Sequence, residues 1–268
     1  VRDQRRLKRA VEDVDIVFHA AALKHVPSNE YNPFECIRTN VLGAENIIYA
    51  AINCKVKKTI ALSTDKAANP VNIYGASKLA SDKIFIAGNH LAGDSDSRFS
   101  VVRYGNVIGS RGSLYWVLQD SIKNGSNQVP ITDKRMTRFW ISLEQGVEFV
   151  LSSLNNMRGG EIYVPKIPSM KIIDFINNVC PNKKIVEIGI RPGEKLHEIM
   201  ITKDDARYTY DCNDKYIIEP NIHGWDEERK EIDGTKVEEN FEYASDINKS
   251  WLKKSDLVSI LKKLEDKK

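Results

Sequence analysis

No window of the chain approaches the roughly 18 consecutive apolar residues that a membrane-spanning helix needs, and the first twenty residues are charged rather than signal-like. The sequence therefore predicts a soluble protein with no membrane partner. Only four cysteines occur in 268 residues: Cys36, Cys54, Cys180 and Cys212, far apart and with no Cys-x-x-Cys pair. Neither a zinc site nor a disulfide framework is expected, and the reading is a reducing, cytoplasmic compartment with no metal. Charge of one sign is lacking as well, since 40 Lys and Arg face 37 Asp and Glu for a formal net charge of +3. With no basic run interleaved with aromatics, nucleic acid is not the expected partner. Internal repeats and low-complexity segments are absent, and the first glycine is Gly43.

What is present is a core-sized supply of apolar residues, 41% of the chain, enough for one large domain or two modest ones. Leu7, Ala10, Val11 and Val14 fall at helical spacing, and "DIVFHAAA" follows as a short apolar run. "NPFECIRTNVLGAENIIYAAINCKV" predicts one long helix and "KKTIALST" a second strand. "YGASKLASDKIFIAGNHLA" predicts a further helix, and "RFSVVRYGNVIG" a third strand rich in β-branched residues. Strands alternating with helices of this length predict right-handed crossovers and an α/β fold with a doubly wound parallel sheet. After Gly112 the pattern loosens into a helix "LEQGVEFVLSSLNNM", a strand "GGEIYVP", a helix "MKIIDFINNVC" and a strand "KKIVEIG". The stretch from about Pro220 to Ser245 reads as a polar surface segment, and the final amphipathic helix as a solvated one. Residues 1–110 are assigned to the sheet domain, with 139–165 returning to it, and 111–268 mainly to a substrate-binding region and tail.

One segment, "ALSTDKAANPVNIYGASK", residues 61–78, concentrates reactive side chains. In an open parallel sheet ligands bind beyond the carboxyl ends of the strands. The strand ends at Ser63, so Thr64, Asp65 and Lys66 fall where the chain enters the cleft. A free Tyr is a weak base at neutral pH, but Lys78, one helical turn from Tyr74, stabilises its phenolate. Tyr74 can then take a proton from an alcohol while a hydride leaves the same carbon. The small residues of "YGASK" permit close approach of a ligand.

The segments "FHAAALKHVP", "ALSTDKAANPVNIYGASK", "VVRYGNVIGSRGS", "PITDKRMTRFW", "GGEIYVPKIPSMK" and "IRPGEKLHE" resemble the extended short-chain dehydrogenase/reductase family. More narrowly, they resemble the inverting UDP-N-acetylglucosamine 4,6-dehydratases that begin pseudaminic acid and related bacterial surface-sugar pathways. The resemblance runs in order from residue 1 to about residue 220. It implies an NADP cofactor (NAD being the alternative), a UDP-sugar substrate and a homo-oligomer. Tyr74 would deprotonate the hydroxyl on carbon 4, with Lys78 lowering its pKa and binding the nicotinamide ribose. Lys66 would remove the proton on carbon 5, Asp65 would protonate the hydroxyl leaving carbon 6, and Thr64 would bond near the reacting hydroxyl. Lys66 must be neutral to serve as a base, which requires desolvation or a neighbouring cation. Relatives that retain configuration at carbon 5 carry Met at the position of Tyr74.

The same resemblance places Ala20, Ala21, Ala22 and Ser63, with Tyr74 and Lys78, along the cofactor. Lys24, His25 and Asn106 would face the substrate, Arg191 would pair with the diphosphate through its guanidinium fork, and Glu194 would hold the nucleotide ribose. Arg135, Met136 and Arg138 match the family without a role that the residues themselves suggest. The family opens with a strand, a Gly-x-x-Gly-x-x-Gly turn and a helix that binds the cofactor pyrophosphate. Nothing here fits that turn, so on the order of 60 N-terminal residues are expected to be missing, with cofactor binding and stability affected. Two other readings remain open: a nucleotide-sugar 4-epimerase, which needs Tyr74 and Lys78 but not Asp65 and Lys66, and a non-catalytic UDP-sugar-binding remnant.

Overall fold

The computed structural model describes residues 1–221 and 231–266. The first stretch contains α1 (Gln4–Ala10), β1 (Ile16–His19), α2 (Val26–Tyr31), α3 (Pro33–Asn40), α4 (Leu42–Asn53), β2 (Lys58–Thr64), α5 (Ile73–Ala92) and β3 (Arg98–Tyr104). Then follow β4 (Asn106–Val107), α6 (Leu114–Lys123), β5 (Gln128–Ile131), β6 (Thr137–Ile141), α7 (Leu143–Asn156), β7 (Ile162–Pro165), β8 (Ser169–Lys171), α8 (Ile172–Val179) and β9 (Lys184–Glu187). The last elements are β10 (Ile199–Ile201), α9 (Lys203–Ala206), β11 (Thr209–Cys212), β12 (Lys215–Ile218), β13 (Thr235–Lys236), β14 (Tyr243–Ala244) and α10 (Lys254–Glu265). Two compact units emerge. One holds Val1–Arg103, Phe149–Lys166 and Met200–Glu242; the other holds Tyr104–Glu148, Ile167–Ile199 and Tyr243–Lys268.

The first unit is built on a seven-stranded sheet in the order β1-β2-β3-β7-β12-β11-β13. β1 and β2 run parallel, Ile16 opposite Lys58 and His19 opposite Ala61, and β3 runs parallel to β7. The α/β fold class is as expected, but the sheet is mixed rather than parallel throughout. β12 pairs antiparallel with both β7 and β11. A two-residue hairpin joins β11 to β12, and Asn213 at φ 63° supplies the left-handed residue that such a turn requires. The sheet interior is a continuous apolar layer, with Ile60, Phe99, Val101 and Val102 fully buried and Phe85 of α5 packed on Phe99 at 6.5 Å. Such two-sided burial is why the middles of β2 and β3 show no apolar–polar alternation, and even Thr59 and Ser100 are buried.

The second unit pairs β4 with β6 in parallel and β6 with β8 antiparallel, while β5 and β9 form a parallel pair. Its core stacks Trp140 on Phe175 with ring centroids 4.4 Å apart, surrounded by Ile108, Tyr115, Leu118 and Leu257.

Four local expectations are corrected. The run read as one helix from Asn32 is two, α3 and α4, interrupted at Val41, with α2 ahead of them. The run read as a third strand breaks at Gly105, where an added Cβ would lie 2.5 Å from that of Phe139, so β4 leaves for another sheet. Helix α6, begun by Ser113, was not anticipated. Of the segment expected to be irregular after Pro220, residues 222–230 lie outside the described residues, and the rest includes β13 and β14.

Candidate active site

Strand β2 ends at Thr64, and the chain turns at once into a short 3₁₀ helix, Asp65–Ala67, capped by the Thr64 side chain, which accepts from the Lys66 N–H at 3.3 Å. The Thr64 hydroxyl donates to Asp65 Oδ1 at 2.8 Å, and Lys66 Nζ donates to the same oxygen at 3.1 Å. Asp65 is fully enclosed, and its Oδ2 is buried with no hydrogen-bond partner. One carboxylate oxygen is thus committed to the turn. The other has no partner among the described residues, and a buried polar atom left so costs about 1–3 kcal/mol.

Helix α5 begins beside this turn. Asn72 caps it by accepting from the Gly75 N–H at 2.7 Å, which places Tyr74 in the first turn. A Cβ on Gly75 would come within 2.3 Å of the Lys66 carbonyl oxygen and 3.0 Å of Pro70. Glycine alone lets the start of α5 press against the backbone of Lys66, and that contact sets Tyr74 next to the Asp65 and Lys66 turn. Lys78, 3% exposed, donates from Nζ to the Leu62 carbonyl of β2 at 2.8 Å, while Tyr74 is 8% exposed. Burial lowers the Lys78 pKa, and nearby Asp82 opposes that shift.

The expected residues after β1 cluster in the same unit. Ala20 and Ala21 are exposed and Ala22 half-buried at the strand exit. Lys24 is lowered by partial burial and by the Lys66 ammonium, so the two cations are neighbours. His25 Nδ1 meets Ser28 Oγ at 2.8 Å in the first turn of α2, a local bond at a helix start. In the second unit, Asn106 on β4 keeps a buried Oδ1 without a hydrogen-bond partner among the described residues. Arg191 is exposed on a turn in which the Glu194 N–H donates to the Arg191 carbonyl at 3.1 Å. Glu194 turns its carboxylate back on that turn, accepting from the Arg191 N–H at 3.4 Å.

Several organising residues were not anticipated. His19, at the end of β1, is buried against Phe85 with ring centroids 5.3 Å apart, and its Nε2 has no hydrogen-bond partner. Burial, then the Lys78 ammonium, push its imidazole down to about 4. Asn40 clamps the backbone of Leu23, accepting its N–H at 2.8 Å and donating to its carbonyl at 3.0 Å, and also donates to Ser77 Oγ at 2.9 Å. The 20–25 segment is thereby fixed to the helix that carries Tyr74 and Lys78. Asp82 accepts from the Ser63 hydroxyl at 2.7 Å. Only the last had a sequence signal, because Tyr74, Lys78 and Asp82 recur at i, i+4 and i+8 on one helical face.

The sequence profile of the polysaccharide biosynthesis protein family matches residues 1–220. The chain belongs to this family. Within its wider group of relatives, the chain is 55% identical over 271 residues to a UDP-N-acetylglucosamine 4,6-dehydratase (inverting) of Campylobacter jejuni, across 99% of this chain and 81% of that protein. It is 42% identical over 222 residues to a UDP-glucose 4-epimerase of Rickettsia canadensis, across 81% of this chain and 65% of that protein. Among solved structures, Pen from Bacillus thuringiensis superposes with a TM-score of 0.89 at 33% identity, over 98% of this chain and 80% of that one.

The two family-matching arginines without an assigned role have plain ones. Arg138 donates to the carbonyls of Lys195 at 3.0 Å, Leu196 at 3.0 Å and Thr137 at 2.7 Å, and lies 3.6 Å from Glu198. It pins the segment that follows the Arg191 turn. Arg135 pairs with Asp133 at 2.7 Å and holds that carboxyl down at about 2.

The residues present fit the nicotinamide-ribose end of a dinucleotide. Lys78 has two N–H donors beyond the one given to Leu62, and the strand exit at residues 20–22 carries no side chain larger than a methyl group. Among the described residues no group of His, Cys, Asp and Glu could hold a metal ion. No described helix is long and apolar enough to cross a membrane.

Proposed function

We propose that the chain is a nucleotide-sugar 4,6-dehydratase that uses NADP, acts on UDP-N-acetylglucosamine and inverts the configuration at carbon 5. The observation that carries this reading is the contact of Gly75 with the Lys66 carbonyl, which sets an acid and base pair beside the Tyr74 and Lys78 pair. Tyr74 takes the proton of the hydroxyl on carbon 4, and the Lys78 ammonium stabilises the phenolate. A nicotinamide held by Lys78 and the strand exit at residues 20–22 would supply a hydride acceptor for carbon 4 and a hydride donor for carbon 6. The ketone at carbon 4 acidifies the hydrogen on carbon 5. Lys66 removes that proton while Asp65 protonates the oxygen leaving carbon 6.

The 3.1 Å contact between Lys66 Nζ and Asp65 Oδ1 places the two groups where a proton can pass between them. One proton moving from the ammonium to the carboxylate leaves a neutral amine and a carboxylic acid, the forms the elimination needs. Repulsion between the Lys24 and Lys66 ammonium groups favours that transfer. Hydride addition at carbon 6 leaves an enolate, and a proton taken at carbon 5 from solvent water on the face opposite Lys66 then inverts that centre. Within this reading Lys78 serves the cofactor, and Asn106 and Arg191 serve the nucleotide sugar, Arg191 by a bidentate pair with the diphosphate.

The test is proton NMR of UDP-N-acetylglucosamine incubated with the whole protein and NADP in deuterated buffer. A 6-deoxy-4-keto product carrying deuterium and inverted configuration at carbon 5 is expected. The 42% identity to a UDP-glucose 4-epimerase favours a second reading, for which the expected product is the carbon 4 epimer. Lys66→Ala separates the two. It lowers dehydration about 100- to 10,000-fold and leaves an epimerase active.

A further inference from the structure

Lys78 is buried, and among the described residues its ammonium donates to one acceptor, the neutral carbonyl of Leu62 at 2.8 Å. A buried cation bonded only to a neutral group is costly unless an anion lies near it. Asp82 is that anion by placement. It stands one helical turn beyond Lys78 on the same face of α5 and is itself 1% exposed. Its Oδ2 accepts from the Ser63 hydroxyl at 2.7 Å and lies 3.5 Å from Arg103 Nη2.

Arg103 has other partners: it donates from Nη1 to the Met200 carbonyl at 2.9 Å and lies 3.4 Å from Asp205. The Asp82 charge is therefore not fully committed to the guanidinium. Other titratable groups, among the described residues, include His19 at the end of β1, on which the Lys78 charge acts, Tyr74 on α5 itself, and Asp65 and Lys66, paired with each other on the turn packed against the start of α5. Of these neighbours, Asp82 is the acid that acts on Lys78.

We propose that Asp82 is a positioning residue for the reaction, supplying the counter-charge that keeps the Lys78 ammonium charged and fixed one turn from Tyr74. Through Ser63 it also fastens α5 to the strand end that carries Thr64, Asp65 and Lys66. Its charge, not its shape, is the functional property. The proposal rests on the role given above to Lys78. Burial pushes the Asp82 carboxyl up, while Arg103, Lys78 and the Ser63 hydroxyl pull it back toward the ionised form.

Two measurements on the whole protein test this. The first is the carbon-13 carboxyl resonance of Asp82 in protein labelled at aspartate, assigned by its loss in Asp82→Asn. An ionised carboxylate near neutral pH is expected, and a protonated one overturns the proposal whether or not any variant folds. The second is the pH profile of turnover. In Asp82→Asn the alkaline limb moves to lower pH, with about a tenfold or greater loss at alkaline pH relative to the variant's own optimum, and Asp82→Glu restores the limb. A folded Asp82→Asn whose alkaline limb coincides with that of the parent overturns it. If the parent turns over no nucleotide sugar, the proposed function fails, and the carboxyl resonance still decides the state of Asp82.

Discussion

In the first unit most of the charges proposed for the reaction are enclosed: Asp65 is at 0% exposure and Lys78 and Asp82 are buried, while the Lys66 side chain stays partly exposed. In the second unit Arg191 stands exposed on a turn, and the half-buried Arg138 is spent on backbone carbonyls and Glu198. The contrast matches what each proposed task demands. Moving protons at carbon requires groups of fixed geometry in a medium of low dielectric, where each charge acts strongly. Gripping a diphosphate requires a guanidinium that can still be reached from water, held by a firmly anchored turn. Enclosed groups should therefore govern turnover and stability together, and the exposed one binding alone.

The largest effect that sharpens this comparison is expected at Tyr74. Tyr74→Phe removes the proton acceptor with little change in volume, so kcat falls about 100- to 10,000-fold, as read by product formation. Its melting temperature should stay near that of the parent. A comparable fall in affinity instead would make Tyr74 a binding residue and break the contrast.

Next comes the pH dependence of the first unit. His19 is held neutral with its imidazole at about 4, against 6.5 in the unfolded chain. Protons then bind the unfolded state more readily than the folded one between these values. Stability is fully present above about 6.5 and declines as pH falls toward 4, by about 3 kcal/mol in total. Urea unfolding midpoints across this range should show the slope, and His19→Gln should flatten it.

Gly75→Ala tests whether the two halves of the site are locked by contact. The new Cβ meets the Lys66 carbonyl at 2.3 Å, which is backbone and cannot rotate away. A loss of about 1–3 kcal/mol in unfolding free energy is expected, with a fall in kcat because the turn and the helix must separate. Loss of stability with full turnover would show that the contact does not align the reactive groups.

The smallest effect on the protein itself is expected from Arg191→Ala. An exposed side chain contributes little to stability, so the melting temperature stays within about 1–2 °C. The Michaelis constant for the nucleotide sugar should rise about tenfold or more with kcat nearly unchanged, the value of a charged hydrogen bond. A drop in kcat with unchanged Michaelis constant would place Arg191 in the chemistry and erase the distinction between the units.

Much of this was legible in the residues because it is local. "STDK" after an apolar run and "YGASK" at the start of a helix are short stretches, and the structure puts them at the end of β2 and the first turn of α5. The hairpin of β11 and β12 was not legible. Antiparallel addition beyond β7 depends on which edge remains open once the parallel strands have paired, not on a pattern within residues 209–218. The break at Gly105 was hidden for a similar reason, since Phe139, which forbids a side chain there, lies 34 positions away.

The sequence by itself determined which elements form and which reactive groups share one turn of chain, because periodicity and capping act within a few residues. Tertiary structure alone decided which of those groups lost water and which partners they kept. Asp65 retains one oxygen without a partner, Lys78 rests on Leu62, His19 is forced neutral, and Asn40 ties Leu23 to Ser77. Desolvation and charge pairing depend on atoms brought together from distant parts of the chain, and these long-range contacts set the protonation states on which the chemistry rests.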